Sequence, residues 1–170
     1  MTSLNIDINQ LLDELSDKIR QHPRFHQDIK MIGIRTGGEW IAQALAQRLD
    51  LANPLGVLDI SFYRDDFSKI GLNPAVQPSS IPWDINDQDL FLVDDVLYTG
   101  RTTRAAMNEL FDYGRPASIT LVTLVDRKGC RELPIQPDIY ALQMQCHQTL
   151  KLNGPSPLTM SLLDSSEVSL

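Results

Sequence analysis

Residues Asp94 to Thr102 read Asp-Asp-Val-Leu-Tyr-Thr-Gly-Arg-Thr and follow a continuous apolar run, Leu90 to Val93. Adjacent carboxylates suit vicinal sugar hydroxyls, whose hydrogen bonds they accept, or the water shell of a hard cation. Thr99, Gly100, Arg101 and Thr102 can turn successive backbone N–H groups toward one point at the start of a helix. Such a point is an anion site suited to a phosphate monoester. Gly100 permits close approach, and the threonine hydroxyls add donors. A phosphate cradle beside a diol acceptor describes a ribose 5-phosphate site. Neither G-x-x-x-x-G-K-[ST] nor G-x-G-x-x-G occurs, which argues against nucleoside triphosphatase and dinucleotide sites.

These residues need a scaffold. Two other apolar runs also end in polar, glycine-bearing turns: Ile29–Ile34 before Arg35-Thr36-Gly37-Gly38, and Ile119–Val125 before Asp126-Arg127-Lys128-Gly129. In open α/β sheets ligands bind beyond the carboxyl ends of the strands, so three neighbouring strands would turn these loops into one crevice. Helical spacing predicts helices at Ile8, Leu11, Leu12, Leu15 and Ile19, at Ile41, Ala44, Leu45 and Leu49, and over Thr102–Tyr113, with Gly114 and Pro116 as stop signals. Val57–Phe62 reads as a strand, and residues 138–142 and 157–163 as further strands. Strands alternating with helices imply an α/β fold with a mainly parallel sheet. Residues 63–82, with Gly71, Pro74, Pro78 and Pro82, read as a loop that is either a functional lid or a surface excursion.

A chain of 170 residues suits one domain, 1–170, with 164–170 as a loose tail. Fifteen Lys and Arg against twenty-two Asp and Glu give a net charge of −7. That balance argues against a protein that coats nucleic acid non-specifically, and 42% hydrophobic content against a largely disordered one. Cys130 and Cys146 form no C-x-x-C, so neither a disulfide framework nor a structural zinc is expected. The N-terminus lacks a basic, apolar leader and no run is long enough to span a membrane, so a cytoplasmic protein is expected. His22 and His26 are four apart, but Pro23 interrupts any helix between them. His147 stands alone and Trp40 reads as a packing residue, while neither Trp83 nor Cys130 has an evident role.

Leu90 to Thr102 resembles the thirteen-residue signature of type I phosphoribosyltransferases: apolar strand, two acids, then T-G-x-T. Leu58–Asp66, Phe111–Ala117, Leu124–Arg127 and Arg131–Ile135 are similar to the PyrR branch of that family, pyrimidine operon regulators that are also uracil phosphoribosyltransferases. The resemblance implies a type I phosphoribosyltransferase fold, a mainly parallel sheet flanked by helices with a mobile lid loop (64–80) and a small hood. It implies a transferase that converts uracil and phosphoribosyl pyrophosphate (PRPP) to UMP and pyrophosphate with Mg²⁺. Thr99, Gly100, Arg101 and Thr102 would hold the 5-phosphate, Asp94 and Asp95 would meet the ribose, and Thr36, Gly37 and Gly38 would form the pyrophosphate loop. Val125, Asp126 and Arg127 would border the base. Arg64, at the lid root, would bind the leaving phosphates or be an ordinary surface arginine. A homodimer or higher assembly is implied, as is UMP-dependent binding of pyrimidine operon leader mRNA.

Two departures bear on that last partner. A basic residue is common in the family where this chain has Gly37, and a lysine-bearing stretch where it has Gln136–Gln143. Both remove positive charge, which counts against RNA regulation more than against PRPP binding. Arg20, Arg24, Lys30, Arg104, Arg115, Lys128 and Arg131 are the basic residues left to meet RNA, and such scattered charge is usually a solvated face. The alternatives are an attenuator with vestigial catalysis and a transferase for another base.

Overall fold

The computed structural model describes residues 6–61, 78–145 and 149–163. Helix α1 (Ile8–Arg20) starts at Asp7, whose carboxylate accepts from the Asn9 and Gln10 N–H groups, and it buries Ile8, Leu12, Leu15 and Ile19. Strand β1 (Lys30–Ile34) leads directly into α2 (Gly37–Leu49), and β2 (Gly56–Leu58) follows. Strand β3 (Asp89–Leu97) leads into α3 (Arg101–Tyr113). Then come β4 (Ser118–Arg127), β5 (Ile139–Met144) and a hairpin of β6 (Thr149–Asn153) with β7 (Thr159–Leu163).

The main sheet has the order β2-β1-β3-β4-β5, with every pairing parallel. Successive strand residues point to opposite faces, and both faces are covered. Phe91 and Val93 of β3 join the core made with α1, α2 and the hairpin, while Leu90 and Leu92 join the core beneath α3. This double burial explains the continuous apolar run. Leu150, Leu152 and Met160 seat the hairpin on the α1–α2 side.

The strand order decides where a ligand can bind. From β1 the chain moves outward to β2, then crosses back to place β3 on the other side of β1. The helical connections therefore diverge at the carboxyl ends of β1 and β3, and a crevice opens between them.

Several boundaries differ from the sequence reading. Strand β3 does not stop before the acidic pair. Val96 and Leu97 stay in register with Val125 and Asp126, so Asp94 and Asp95 lie within the strand. Asp126 and Arg127 likewise belong to β4. Strand β2 ends at Leu58, short of the expected Val57–Phe62; the Asp59 N–H donates to Ser79 Oγ at 2.8 Å instead of to a strand, Val57 also pairs with Ser80, and Phe62 lies outside the described residues. Strand β6 was not expected. Most of the predicted lid, Arg64 included, lies outside the described residues, as do His147, Cys146 and the segment 164–170.

Candidate active site

Two helices begin at the crevice, and neither is capped by the side chain of its N-cap residue. The N-cap of α2 is Thr36 and that of α3 is Gly100; neither position supplies a side-chain hydrogen bond to the first turn. Helix N-termini ordinarily find such a cap, because their first N–H groups have no partner within the helix. At the mouth of a parallel sheet, uncapped termini present donors and a positive dipole end to an anion. Gly100 sits at φ 90°, in the left-handed region, and a Cβ there would lie 3.0 Å from the Ile135 Cβ. Only glycine makes this turn without strain.

The glycines of the β1–α2 loop serve a different need, which is close approach. A Cβ on Gly38 would sit 2.4 Å from the Val93 carbonyl oxygen, and one on Gly37 would sit 2.2 Å from Asp95 Oδ2. The start of α2 is thus pressed against the end of β3, with the Asp95 carboxylate over Gly37. Asp95 is fixed from its other side by the Val96 N–H, which donates to Oδ1 at 2.9 Å, and Asp94 Oδ1 accepts from the Asp95 N–H at 2.9 Å. Thr99 Oγ1 accepts from the Arg101 N–H at 3.3 Å.

A cavity of 240 Å³ joins part of the predicted site, and Thr36, Gly37 and Gly38 are not among the residues that line it. Asp94, Asp95, Thr99, Gly100 and Thr102 line it together with Thr103, Tyr98, Arg127 and Leu150. The carboxylate pair and the α3 N-terminus therefore share one space, of a size for a sugar phosphate. Asp94 is 5% exposed and makes its approach from within the sheet. Arg101 does not line this cavity; its side chain turns outward, and Nε bonds Glu132 Oε2 at 2.6 Å.

The three residues expected at the base end are placed differently from one another. Arg127 lines the cavity, with its guanidinium 4.0 Å from the centre of the Tyr98 ring. Val125 is fully buried in the apolar core. Asp126 is 2% exposed, and its two oxygens accept from Arg131 Nη2 at 2.5 Å and Gln143 Nε2 at 2.9 Å. Its carboxylate is thereby committed to the protein.

Sequence reasoning passed over Thr103, Arg35 and Leu150 as site residues and gave Arg131 a different place. Thr103 is 1% exposed, lines the cavity, and has an Oγ1 with no hydrogen-bond partner among the described residues. The T-G-R-T-T run held that signal, since a second threonine at an anion-binding terminus adds a donor. Arg35, one residue before the glycine loop, bonds Glu39 Oε2 at 3.1 Å and faces Asp59 Oδ2 at 3.7 Å. Leu150 comes from a distant segment and gave no local signal, whereas Arg131, five residues after Asp126, was read only among the scattered basic residues. The remaining singled-out side chains are structural. Trp40 packs against Gly154, Trp83 Nε1 donates to the Pro54 carbonyl at 2.9 Å, and the His22 ring meets Phe91 edge-on at 5.5 Å.

A sequence-family model described as phosphoribosyl transferase domain matches residues 3–153. The chain belongs to the phosphoribosyltransferase family. Within that family it is similar to proteins named bifunctional protein PyrR. It is 53% identical over 159 residues to that of Pseudomonas fluorescens, covering 91% of this chain and 94% of the relative. It is 51% identical over 166 residues to that of Nitrosococcus oceani, covering 94% and 92%. Among solved structures, a hypoxanthine-guanine phosphoribosyltransferase from Bacillus anthracis superposes with a TM-score of 0.69 at 17% identity, over 88% of this chain and 86% of that one. A purine phosphoribosyltransferase from Pyrococcus horikoshii gives 0.60 at 26% identity, over 81% and 82%. The fold is that of the type I phosphoribosyltransferases, and the chain is a phosphoribosyltransferase.

The residues present fit a divalent cation that arrives with its substrate. Mg²⁺ is typically held by one or two carboxylates plus substrate phosphates, with waters retained. Asp94 and Asp95 supply such a pair, and no cluster of three or more His, Cys, Asp or Glu among the described residues forms a cage for a resident metal. No helix among the described residues is long and apolar enough to cross a membrane.

Proposed function

We propose that this phosphoribosyltransferase joins uracil to the ribosyl C1 of PRPP, yielding UMP and pyrophosphate. The observation that carries this reading is the shared cavity, with the carboxylate pair on one wall and the glycine-turned start of α3 on another. The 5-phosphate would rest on the N–H groups and hydroxyls of Thr99, Gly100, Arg101 and Thr102. Asp94 and Asp95 would accept hydrogen bonds from the ribose hydroxyls. Thr36, Gly37 and Gly38 would receive the pyrophosphate at the start of α2.

The reaction follows from charge. As the C1–O bond to pyrophosphate breaks, positive charge grows on the ribose and negative charge on the leaving group. Fixed carboxylates beside the ring favour the first, and uncapped helix termini favour the second. Mg²⁺ bound with PRPP, held through Asp94 and Asp95, would supply further neutralisation of the phosphates. Uracil N1 then bonds to C1 and loses its proton. Holding both reactants in line removes much of the entropic barrier. Uracil is the base that the resemblance to the PyrR branch implies, and of the three residues expected to border it Arg127 is the one that lines the cavity.

The relatives are named bifunctional, and the resemblance to the PyrR branch implies that a second activity would be regulation of pyrimidine operon RNA. Against it, Arg20 is paired with Asp17 at 2.9 Å, Arg24 with Asp89 at 3.6 Å and Arg131 with Asp126 at 2.5 Å, and Lys30 donates to Gln88 at 2.8 Å. Arg104, Arg115 and Lys128 are exposed, on three different segments. Incubation with PRPP, Mg²⁺ and a panel of uracil, orotate, hypoxanthine and guanine tests the main reading. Uracil is expected to give the fastest nucleotide formation. A faster purine or orotate reaction overturns the base, and no turnover with any of them overturns the activity. A gel-shift titration with the operon leader tests the second activity, where binding strengthened by UMP is the positive result.

A further inference from the structure

The loop that follows β4 is tied to the α3 phosphate loop by a chain of contacts that begins at a buried carboxylate. Asp126, at the end of β4, accepts from Arg131 Nη2 at 2.5 Å and from Gln143 Nε2 of the adjacent β5 position at 2.9 Å. Arg131 Nη1 donates in turn to the Tyr98 carbonyl at 2.6 Å. The next two residues continue the seam, since the Glu132 and Leu133 N–H groups both donate to the Thr99 carbonyl, at 3.0 and 3.1 Å. Ile135 then lies in the space that a side chain at residue 100 would need.

We propose that Asp126 and Arg131 are positioning residues for the phosphate loop, acting through the carbonyls of Tyr98 and Thr99. The proposal rests on the phosphoribosyl-transfer reading of the cavity. Its physical basis is that Tyr98 and Thr99 sit between the end of β3 and the start of α3, outside both the strand ladder and the helix. The carbonyls of both residues are instead fixed from the side by residues 131–133. Fixing two successive carbonyls sets the peptide planes that follow them, and those planes aim the N–H groups at the anion. Arg131 suits this task because its planar fork reaches a carboxylate and a carbonyl together, which the single ammonium of lysine does less well. Asp126 anchors that fork to the sheet. Its side chain is 3% exposed and that of Arg131 13%, so the pair is shielded from screening by solvent.

The arrangement predicts a split between the two halves of the PRPP site. Asp126→Asn removes the charge that orients Arg131 and is expected to weaken inhibition by ribose 5-phosphate by roughly tenfold. Inhibition by inorganic pyrophosphate, which reads the β1–α2 loop, is expected to stay as in the wild type. Arg131→Lys keeps the positive charge beside Asp126 but loses the fork, so the same split is expected at smaller size. This second variant carries the test if Asp126→Asn does not fold. Both inhibition constants are measured against PRPP in steady-state turnover, with thermal midpoints alongside. Ribose 5-phosphate inhibition unchanged in both variants overturns the proposal. So does a parallel loss for both inhibitors, which is the mark of a merely structural role. A wild-type enzyme without PRPP-dependent turnover sinks the reading of the cavity instead, before any variant is compared.

Discussion

Gly37→Ala is the most informative single change. The added Cβ would lie 2.2 Å from Asp95 Oδ2, 2.6 Å from Cγ and 3.0 Å from Cβ of the same residue. Carbon atoms in contact settle near 3.5–4.0 Å, so the carboxylate must retreat by about 1.5 Å. That displacement breaks the 2.9 Å bond that Asp95 Oδ1 accepts from the Val96 N–H. A hydrogen bond to a charged group is worth roughly 1.5–3 kcal/mol. If Asp95 must hold this position for the ribose, about that much is lost in the transition state, and kcat/KM for PRPP falls about ten- to hundredfold. The fold itself should tolerate the change, because what moves is a side chain at the crevice. Gly38→Ala is the contrasting case. Its Cβ meets the Val93 carbonyl oxygen at 2.4 Å and the Asp94 Cα at 3.1 Å, both backbone, so it should lower stability by about 1–3 kcal/mol. The assay is UMP formation from PRPP and uracil, with thermal midpoints as the control. Wild-type kcat/KM in a folded Gly37→Ala enzyme would refute the placement of Asp95 in the reaction.

Two further variants probe the same cavity. Asp94→Asn with Asp95→Asn keeps side-chain size but removes both negative charges, and turnover should collapse while circular dichroism stays native; near-normal activity would reject their role at the ribose. Thr103→Val replaces a buried, unpartnered hydroxyl with a methyl of similar shape. Stability should hold or rise slightly, because an unsatisfied group is removed, whereas the KM for PRPP should increase about fivefold, matching the loss of roughly 1 kcal/mol of hydrogen bonding. An unchanged KM would show that the hydroxyl never meets the phosphate.

Much of the architecture was legible in the order of residues, for reasons that can be named. Ile8, Leu12, Leu15 and Ile19 repeat with helical period, and α1 forms on them. Leu90–Val93 is apolar at every position because both sheet faces are covered, one by α1 and α2 and the other by α3. Gly114 followed by Pro116 ends α3 where it was expected. Strand ends were less legible, since Asp94 and Asp95 look like loop residues and yet continue β3. Asp94 is buried and Asp95 half-buried, and both line the cavity at the end of the strand, so the ladder continues past them while their carboxylates face that space. Strand β6 was missed although Thr149–Asn153 alternates polar and apolar residues; it pairs with β7, and its Leu150 and Leu152 join the core on the α1–α2 side.

The sequence alone determined the chemistry on offer: a two-acid, T-G-R-T turn, a glycine pair after β1, and a resemblance strong enough to state the family. These are local features, encoded in residue types within reach of their own backbone. Which of them meet was decided by the strand order. With β1 beside β3, Gly37 lies under Asp95, and with β4 on the other side of β3, Arg127 reaches the same cavity. The fate of Asp126 was likewise a tertiary matter. As a residue type it could have faced a base, but Arg131 and Gln143 arrive from later segments to occupy both of its oxygens. A buried carboxylate takes the nearest cation and donor that the fold delivers, and sequence distance does not reveal which those are.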